Sequence, residues 1–198
     1  FENADPYSRT VSEKAQLEFY GRAARAGEFP HALDIPFPLL VLFFPFAFIP
    51  DPTWAHAVWM TLTELGLTLL AVFALRLADW QPKRWFTFLL LFFSLTWFYS
   101  VAALLGGSLS VLLALALIGA LFAMRAFNDE LAGFLLAISA LKWEATLLLW
   151  LLIVLGAFTV KRWRVFAGMG MTWFALGAVG FILYPDWVWP WLRAVAAN

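Results

Sequence analysis

Two absences restrict the chemistry of this sequence: it contains no cysteine, and its only histidines are His31 and His56. Without thiols the chain forms no disulfide, has no thiolate nucleophile and offers no sulfur ligand to a metal. The two histidines are isolated from each other and lack the short spacing of histidine metal ligands. We therefore predict no metal site and no cofactor, although a requirement for a divalent metal is left open.

Charge is scarce as well. Charged residues make up 13% of the chain, and 13 basic residues balance 13 acidic ones to a formal net charge of +0. A soluble domain carries about a quarter charged residues, so this chain has too few to cover a water-facing surface. Binding to a nucleic-acid backbone needs a basic surface, and the balanced charge therefore argues against nucleic acid as a partner.

Hydrophobic residues, in contrast, make up 64% of the sequence. They form Leu-rich, Phe-rich and Trp-rich runs between about residues 35 and 184. Runs of this length and composition are typical of membrane-spanning helices. The predicted fold class is therefore all-α, a multispanning transmembrane helical bundle surrounded by membrane lipids.

The charged residues concentrate near the N-terminus and divide the chain into two predicted domains. Residues 1–34 form a polar, water-exposed segment, in which residues 11–26 have the pattern of an amphipathic helix. The predicted apolar face of this helix consists of Ala15, Phe19, Ala23 and Ala26. A turn at Asp5-Pro6-Tyr7-Ser8 precedes it. Residues 35–198 form the transmembrane bundle.

The bundle opens with a short apolar stretch, residues 35–50, which is interrupted by Pro36, Pro38, Pro45 and Pro50. Proline lacks a backbone donor and breaks helical hydrogen bonding. Irregular backbone is tolerated at membrane depth only where protein covers it. We therefore predict a short, proline-broken re-entrant element instead of a straight span.

About six spans are predicted after this element, at residues 54–78, 85–105, 108–124, 131–141, 145–160 and 165–184. The fourth and fifth are too short to cross a bilayer upright, which takes about 20 residues. Joining them into one long helix would place Lys142 and Glu144 near the middle of the membrane. We therefore predict a hairpin that turns at Lys142-Trp143-Glu144.

The orientation follows from the basic residues, because Lys and Arg accumulate in cytoplasmic loops. Placing residues 1–53 outside puts nearly all basic loop residues inside, namely Arg76, Lys83, Arg84, Arg125, Lys161, Arg162 and Arg164. The outer face of this multi-pass plasma-membrane protein then carries Gly106-Gly107-Ser108, Lys142-Trp143-Glu144 and Pro185-Asp186. Three neighbouring tryptophans suit an interfacial aromatic belt or, as the alternative, a stacking platform for sugars: Trp187, Trp189 and Trp191.

Glu64 is the candidate site residue deepest in the membrane. It lies about ten residues, or roughly 15 Å, inside the predicted span 54–78. An ionisable group at that depth is costly unless it faces a cavity or a partner. Thr61 and Thr68 share its stripe of the helix. The pattern predicts an inward-facing polar wall or an ion relay, and a hydrogen-bonded structural glutamate is the alternative.

The remaining candidate substrate-binding residues are Lys142, Glu144, Gly107 and Ser108. Lys142 could contact a lipid phosphate and Glu144 could accept a proton, whereas a salt bridge in a loop is the alternative. Gly107 permits close approach of the backbone, and an ordinary turn between helices is the alternative. The outer carboxylates Asp5, Glu28 and Asp34 are weaker candidates for a catalytic role.

Several segments together resemble a known family. They are Asn3-Ala4-Asp5-Pro6-Tyr7-Ser8, Phe19-Tyr20-Gly21-Arg22-Ala23-Ala24, Phe44-Pro45-Phe46-Ala47, Ala55-His56-Ala57-Val58-Trp59-Met60 and Ala140-Leu141-Lys142. In this combination they resemble the middle of bacterial multispanning glycosyltransferases of family 87, which belong to the GT-C class. The resemblance covers nearly the whole chain, but Gly106-Gly107 and Lys142-Trp143 depart from the Gly-Gln or Gly-Asn pair and the Lys-Pro pair frequent in the family.

The resemblance implies transfer of a hexose or pentose from a polyprenyl-phosphate donor to an acceptor at the outer face of the membrane. It implies that Lys142 contacts the donor phosphate. In the family the expected base is an Asp in the first outer loop, which would precede Phe1. We therefore expect the chain to be an internal fragment, cut at both ends and without its catalytic base, so that the catalytic residue is unknown.

Two other functions remain open from the residues themselves. A transporter or flippase of a lipid-linked or small polar substrate would use Glu64 and the proline-broken element. A non-catalytic membrane subunit would account for the departures from the family pattern.

Overall fold

The part of the chain that the structure describes is helical and contains no strand. The computed structural model describes residues 5–25, 35–140 and 143–197, and for residues 19, 20, 42, 143–145 and 197 it describes the backbone alone. The helices are α1 (Arg9–Tyr20), α2 (Phe37–Leu40), a 3₁₀ helix (Val41–Phe48), α3 (Pro52–Leu77), α4 (Arg84–Thr96), α5 (Phe98–Leu105), α6 (Ser110–Arg125), α7 (Asp129–Ser139), α8 (Trp143–Thr159), α9 (Trp163–Leu183) and α10 (Val188–Ala197). The predicted all-α class is confirmed.

Two helices, α3 with 26 residues and α9 with 21, are long and apolar enough to cross a membrane. A third span results if α4 and α5, which are bent by 49° at their junction, are counted together. These helices indicate a membrane protein with two or three spans. Six spans, as predicted from the sequence, are not found among the described residues, because α6, α7 and α8 are each shorter than a span.

The chain divides into two compact units that differ from the predicted domains. Unit 1 comprises Phe1–Phe44 together with Ala175–Asn198, and unit 2 comprises Pro45–Phe174. A division after residue 34 was expected because charge decreases there. The contacts instead group the C-terminal residues with the N-terminal ones, which charge along the sequence does not reveal.

Within unit 1, α1 is shorter than the predicted helix 11–26. Ser8 caps its start by accepting from the backbone N–H of Val11, and Gly21 ends it in the left-handed conformation, with φ of 65°. Among the described side chains of α1, Ser12 and Gln16 are buried and Ala15, on the predicted apolar face, is half-buried, whereas the side chain of Phe19 is not described. Ala23 lies beyond the helix and Ala26 lies outside the described residues. The predicted turn is confirmed by a 2.9 Å bond from Ser8 N to the Asp5 carbonyl.

The proline-rich stretch forms no straight span, as predicted. It consists of the four-residue α2 followed by an eight-residue 3₁₀ helix that contains Pro45. A 3₁₀ helix of this length is uncommon because its hydrogen bonds have poor geometry. Pro45 has no N–H to donate to an α-helical bond, which favours the departure from α geometry.

In unit 2, α3 and α6 pack side by side and run in the same direction. A β-carbon on Gly66 would lie 3.0 Å from Cγ1 of Val111. Further along both helices the rings of Phe73 and Phe122 meet edge to face, with centroids 5.5 Å apart. The packed side of α3 carries the buried residues Thr63, Gly66 and Leu67. The side of α3 that contacts α6 therefore combines small or medium-sized residues at its middle with the aromatic ring of Phe73 further along.

The closest helix approach in unit 2 joins α7 to α9. A β-carbon on Gly133 would collide with the carbonyl oxygen of Val165, and one on Gly168 would lie 2.5 Å from the carbonyl oxygen of Glu130. Small residues allow apolar helices to reach backbone contact, which is a common packing mode in membranes. The core around this crossing includes Leu136, Ala137, Ala157 and Val165, all fully buried.

The predicted segment 85–105 is broken at Trp97. Its backbone is extended, with ψ of 137°, and separates α4 from α5. Before the break, the hydroxyls of Ser94 and Thr96 donate to the carbonyl oxygens of Leu91 and Phe92. Such bonds from Ser and Thr to their own helix favour bending. This bend, which contains neither proline nor glycine, was not predicted.

Candidate functional site

One end of unit 2 is marked by ion pairs, which we call the ion-pair layer: Asp79, Arg125, Asp129, Glu130, Arg162 and Arg164. Arg125 lies 3.4 Å from Asp79, and Arg164 lies 3.8 Å from Glu130. Arg162 is the least exposed of the three cations. The layer brings together residues of the turns and of the helix ends of α6, α7 and α9.

Arg162 makes the most contacts in this layer. Its Nη1 donates to the carbonyl oxygen of Met124 at 2.6 Å and to the carboxylate of Asp129 at 3.1 Å. Its guanidinium carbon lies 5.3 Å from the centre of the Phe127 ring, within the range of a cation–π contact. The arginine therefore joins the α6–α7 turn to the start of α9.

The opposite end of α7 is held by side chains of α8 and α9. The carbonyl oxygen of Ser139 accepts from Thr146 Oγ1 at 2.8 Å, and that of Leu136 accepts from Trp150 Nε1 at 2.9 Å. The carbonyl oxygen of Ala137 accepts from Trp173 Nε1 at 3.2 Å. The last carbonyls of a helix lack intrahelical partners. Thr146 and Trp173 thus supply donors to the carbonyls of Ser139 and Ala137, whereas the carbonyl of Leu136 also accepts from the N–H of Ala140 and the hydroxyl of Ser139.

The same bonds show that α8 folds back against the end of α7, but Trp143 and Glu144 belong to α8 and Lys142 lies outside the described residues, so the predicted turn is not itself described. They pair Ser139 with Thr146 and, one turn further from the break, Leu136 with Trp150. In a single straight helix, residues seven positions apart would lie about 10 Å apart along the axis. α7, which ends at Ser139, and α8, which begins at Trp143, therefore run in opposite directions.

The hairpin ends part-way along unit 2. From the ion-pair layer, the 11 residues of α7 extend about 16 Å and the 16 residues of α6 about 24 Å. A β-carbon on Gly119 of α6 would lie 3.1 Å from Leu135 of α7, which aligns the two helices. The end of α7 therefore stops roughly 8 Å short of the start of α6.

Gly107 and Ser108 lie at that start, in the α5–α6 turn. Gly107 has φ of 64°, and the N–H of Ser108 donates to the carbonyl oxygen of Ala103 at 2.9 Å, which is the pattern of a glycine-terminated helix. Ser108 Oγ accepts from the N–H of Ser110 at 3.2 Å. Trp59 of α3 lies beside Gly107, with its indole nitrogen 3.7 Å from a β-carbon built there. Gly107 thus has a structural reason to be glycine.

Glu64 does not lie where the sequence predicted. It is exposed, as is Thr61, whereas the side of α3 that packs within unit 2 carries Thr63, Gly66 and Leu67. The expectation of an inward-facing wall was therefore wrong. It failed because a costly membrane carboxyl implies a partner but does not say whether that partner belongs to the same bundle.

Two predicted site residues are beyond direct description. Lys142 lies outside the described residues, and Glu144 is described only as the second residue of α8, without its side chain. Glu28 and Asp34 also lie outside the described residues.

A second polar cluster, in unit 1, involves the candidate Asp5. Its carboxylate accepts from the N–H of Tyr7 at 2.9 Å and hydrogen-bonds the hydroxyl of Tyr184. The hydroxyl of Tyr7 donates to the carbonyl oxygen of Ile35 at 2.9 Å. Burial and then the charge of Asp5 raise the pKa of Tyr7 well above its usual range. The same two causes raise the pKa of Tyr184.

Sequence reasoning missed the donors that cap α7. Thr146, Trp150 and Trp173 were assigned only to apolar spans, yet each places a polar atom on α7. Their signal was a hydroxyl or indole N–H inside an apolar run, which needs a hydrogen-bond acceptor when buried.

Comparison of the chain with protein-family models, with curated proteins and with solved structures finds no significant match. Among the described residues, no three His, Asp or Glu side chains are grouped so that they could hold a metal ion. The site is therefore defined by the geometry of its two turns.

Proposed function

We propose that the chain is part of an integral membrane glycosyltransferase of the GT-C class that uses a polyprenyl-phosphate sugar at the outer face of the plasma membrane. The observation that carries the proposal is the hairpin of α7 and α8, which turns part-way along unit 2. In the sequence Lys142 directly precedes α8, Glu144 is the second residue of α8, and the α5–α6 turn with Gly107 and Ser108 lies roughly 8 Å further out than the end of α7.

Two polar turns at different depths suit a lipid-linked donor. The polyprenyl chain remains among the lipids, the phosphate lies at the boundary, and the sugar extends towards water. A lysine at the deeper turn provides a charge-assisted contact to the phosphate and stabilises the departing lipid phosphate. Ser108 provides a hydroxyl for a sugar at the shallower turn.

The ion-pair layer supports the orientation that this function needs. Basic residues of the turns gather at one end of unit 2, and such residues accumulate on the cytoplasmic side. The Gly107 turn is then directed to the outer face. In the proposed protein the remaining short helices complete a bundle of about six spans with the proline-broken element as its re-entrant part.

A transporter is less favoured. It would need Glu64 to face an internal path for the substrate or ion, whereas Glu64 lies on the exposed side of α3. The α7–α8 connection and the α5–α6 turn are the polar features of unit 2 at the end opposite the ion-pair layer, and the proposal places the substrate there.

Binding of the donor tests the proposal without requiring turnover. The purified chain in lipid nanodiscs is titrated with a photoreactive polyprenyl-phosphate hexose, and Kd is compared between variants. Losing a charge-assisted hydrogen bond costs about 1.5–3 kcal/mol, so Lys142→Ala is expected to raise Kd by about 10- to 100-fold. Lys161→Ala is the matched control, because Lys161 lies in the turn between α8 and α9 at the other end of unit 2.

Two results would contradict the proposal. One is a wild-type chain that binds the polyprenyl-phosphate hexose no better than it binds the polyprenol without phosphate and sugar. The other is an equal Kd for the Lys142→Ala and Lys161→Ala variants. The family further predicts a membrane helix and an Asp-bearing outer loop encoded upstream of Phe1, which the complete reading frame would reveal.

A further inference from the structure

The connection between α3 and α4 carries a group of cations, which we call the α3–α4 basic patch: Arg76, Lys83 and Arg84. All three are exposed. The one carboxylate between them in the sequence, Asp79, pairs with Arg125 at 3.4 Å. None of the three patch cations forms an ion pair with another residue that the structure describes. The patch therefore presents positive charge that the described part of the protein does not neutralise.

The patch lies between two segments that are suited to a membrane. α3 is long and apolar enough to cross it, and α4 and α5 meet the same criterion when they are counted together. Only residues 78–83 connect α3 to α4. A connection of this length keeps the end of α3 and the start of α4 at the same membrane surface. Lys and Arg at the ends of membrane helices place their charges at the level of the lipid headgroups.

Two tryptophans indicate the same depth independently of the charges. Trp80 is 51% exposed and Trp85 is 66% exposed. Both rings contact the ring of Phe86 edge to face, with centroids 5.6 Å and 5.5 Å apart. Tryptophan is enriched at membrane–water interfaces, where its ring lies among the headgroups. The patch and the two indoles therefore mark one boundary between lipid and water.

An apolar surface continues from the patch along α4. No described residue of α4 is buried within the protein, and Phe88, Leu89 and Phe92 are among its exposed side chains. The cations suit a phosphate at the boundary, and the apolar surface beside them suits acyl chains. An anion that carries its own acyl chains matches both parts at once.

We propose that the α3–α4 basic patch binds the headgroup of an anionic phospholipid, whose acyl chains lie along the exposed surface of α4. Basic residues beside a membrane helix attract anionic lipids, and the attraction grows with each Lys or Arg at the surface. A zwitterionic lipid also has a phosphate, but the patch repels the cation of its headgroup. The patch therefore selects a headgroup of net negative charge. This proposal is independent of the glycosyltransferase function.

Energy transfer between the protein and labelled lipids tests the proposal. The chain has no cysteine, so a single donor fluorophore is attached through Gln81→Cys, beside the patch, or through Thr53→Cys, in the first turn of α3, as the control. The full chain is reconstituted in phosphatidylcholine vesicles. The acceptor fluorophore is on an acyl chain of either phosphatidylglycerol or phosphatidylcholine, at equal mole fractions. Transfer from Gln81→Cys is expected to be greater to phosphatidylglycerol, and transfer from Thr53→Cys is expected to be equal for the two lipids.

Variants in the Gln81→Cys background then test the cations. Lys83→Gln is expected to raise the mole fraction of phosphatidylglycerol at half-maximal transfer by about 5-fold, which corresponds to about 1 kcal/mol. Lys83→Arg keeps the charge and is expected to retain binding. Arg164→Gln is the matched control, because it also removes one exposed cation but one that already pairs with Glu130. The hydrogen bonds at the start of α4 use the backbone carbonyl of Lys83, so these variants leave them in place.

Three results would overturn the proposal. Equal transfer from Gln81→Cys to both lipids would show that the patch does not select an anionic headgroup. An equal effect of Lys83→Gln and Arg164→Gln would show that the overall charge of this end of unit 2 attracts the lipid and that the patch does not bind it. Loss of transfer on addition of inorganic phosphate at constant ionic strength would assign the cations to a soluble anion instead.

Discussion

The indole N–H of Trp150 donates to the carbonyl oxygen of Leu136 at 2.9 Å, although the two residues lie 14 positions apart in the sequence. The bond joins α8 to the buried C-terminal turn of α7, where the same carbonyl also accepts from the N–H of Ala140 and the hydroxyl of Ser139. Trp150 therefore links two helices through a carbonyl that is already hydrogen-bonded, and its contribution to stability is that of an inter-helix contact.

Replacing Trp150 with Phe is expected to lower the free energy of unfolding by about 1–2 kcal/mol, through the lost hydrogen bond and the smaller ring. Ser139 Oγ still donates to the same carbonyl at 2.9 Å, which limits the effect. Denaturant titration in detergent micelles measures it. Trp54→Phe is the control, since Trp54 is 67% exposed. Equal stability of the two variants would contradict this contribution of Trp150.

A glycine at the crossing of α7 and α9 is expected to be essential for stability. Gly168→Ala places a methyl group against backbone atoms of Glu130. Because the contact is with backbone and not with a side chain, a change of rotamer cannot relieve it. We expect the free energy of unfolding to fall by about 2–3 kcal/mol or more, as it does in overpacked cores.

Gly170→Ala, two residues along the same helix, provides the control for Gly168→Ala. A β-carbon there meets no atom within 4 Å. Since alanine favours a helix over glycine by about 1 kcal/mol, this variant is expected to be neutral or more stable. The same unfolding measurement applies, and a Gly168→Ala variant as stable as Gly170→Ala would exclude the close crossing.

Arg162 and Arg164 are expected to differ although both pair with acidic residues of α7. Arg162 is 22% exposed and also binds the Met124 carbonyl, whereas Arg164 is 78% exposed. Arg162→Ala should lower the free energy of unfolding by about 1–3 kcal/mol, and Arg164→Ala by about 0–1 kcal/mol. Raising the salt concentration should weaken the contribution of the exposed Arg164 appreciably and that of Arg162 little. A larger loss of thermal stability in Arg164→Ala than in Arg162→Ala would contradict the prediction.

The cluster of Asp5, Tyr7 and Tyr184 predicts a loss of stability in alkali. The pKa of Tyr7 in the folded protein is raised above its ordinary value of 10.0, so the folded state holds the phenol proton more tightly than the unfolded state. This contribution is complete below pH 10 and is lost as the pH rises through the pKa of the folded state. Stability measured against pH should therefore fall above pH 10.

Asp5→Asn is the matched variant for this pH dependence. It keeps a side-chain oxygen for the N–H of Tyr7 but removes the charge that raises the pKa of both tyrosines. The absorbance change of tyrosine ionisation should then shift to lower pH. An unchanged titration would show that burial alone sets these pKa values.

The sequence predicted the helices better than their packing. The predicted span 54–78 matches α3 because apolar length alone defines such a helix. The hairpin was predicted because Lys142 and Glu144 are costly in mid-membrane; the bonds from Thr146 and Trp150 show α8 folded against α7, while the structure begins α8 already at Trp143. The break at Trp97 was missed because its neighbours Ser94 and Thr96 bend the helix without proline.

The sequence by itself determined that this protein is helical and suited to a membrane, since apolar runs with few charges have no other stable environment. Only the tertiary structure decided which sides of these helices meet. It placed Glu64 on the exposed side of α3 and buried Thr63 beside it, and it brought Gly133 and Gly168 to the α7–α9 crossing. The reason is physical: lipid is as apolar as leucine, so hydrophobicity does not distinguish a packed side from a lipid-facing one, and shape and hydrogen bonding must do so.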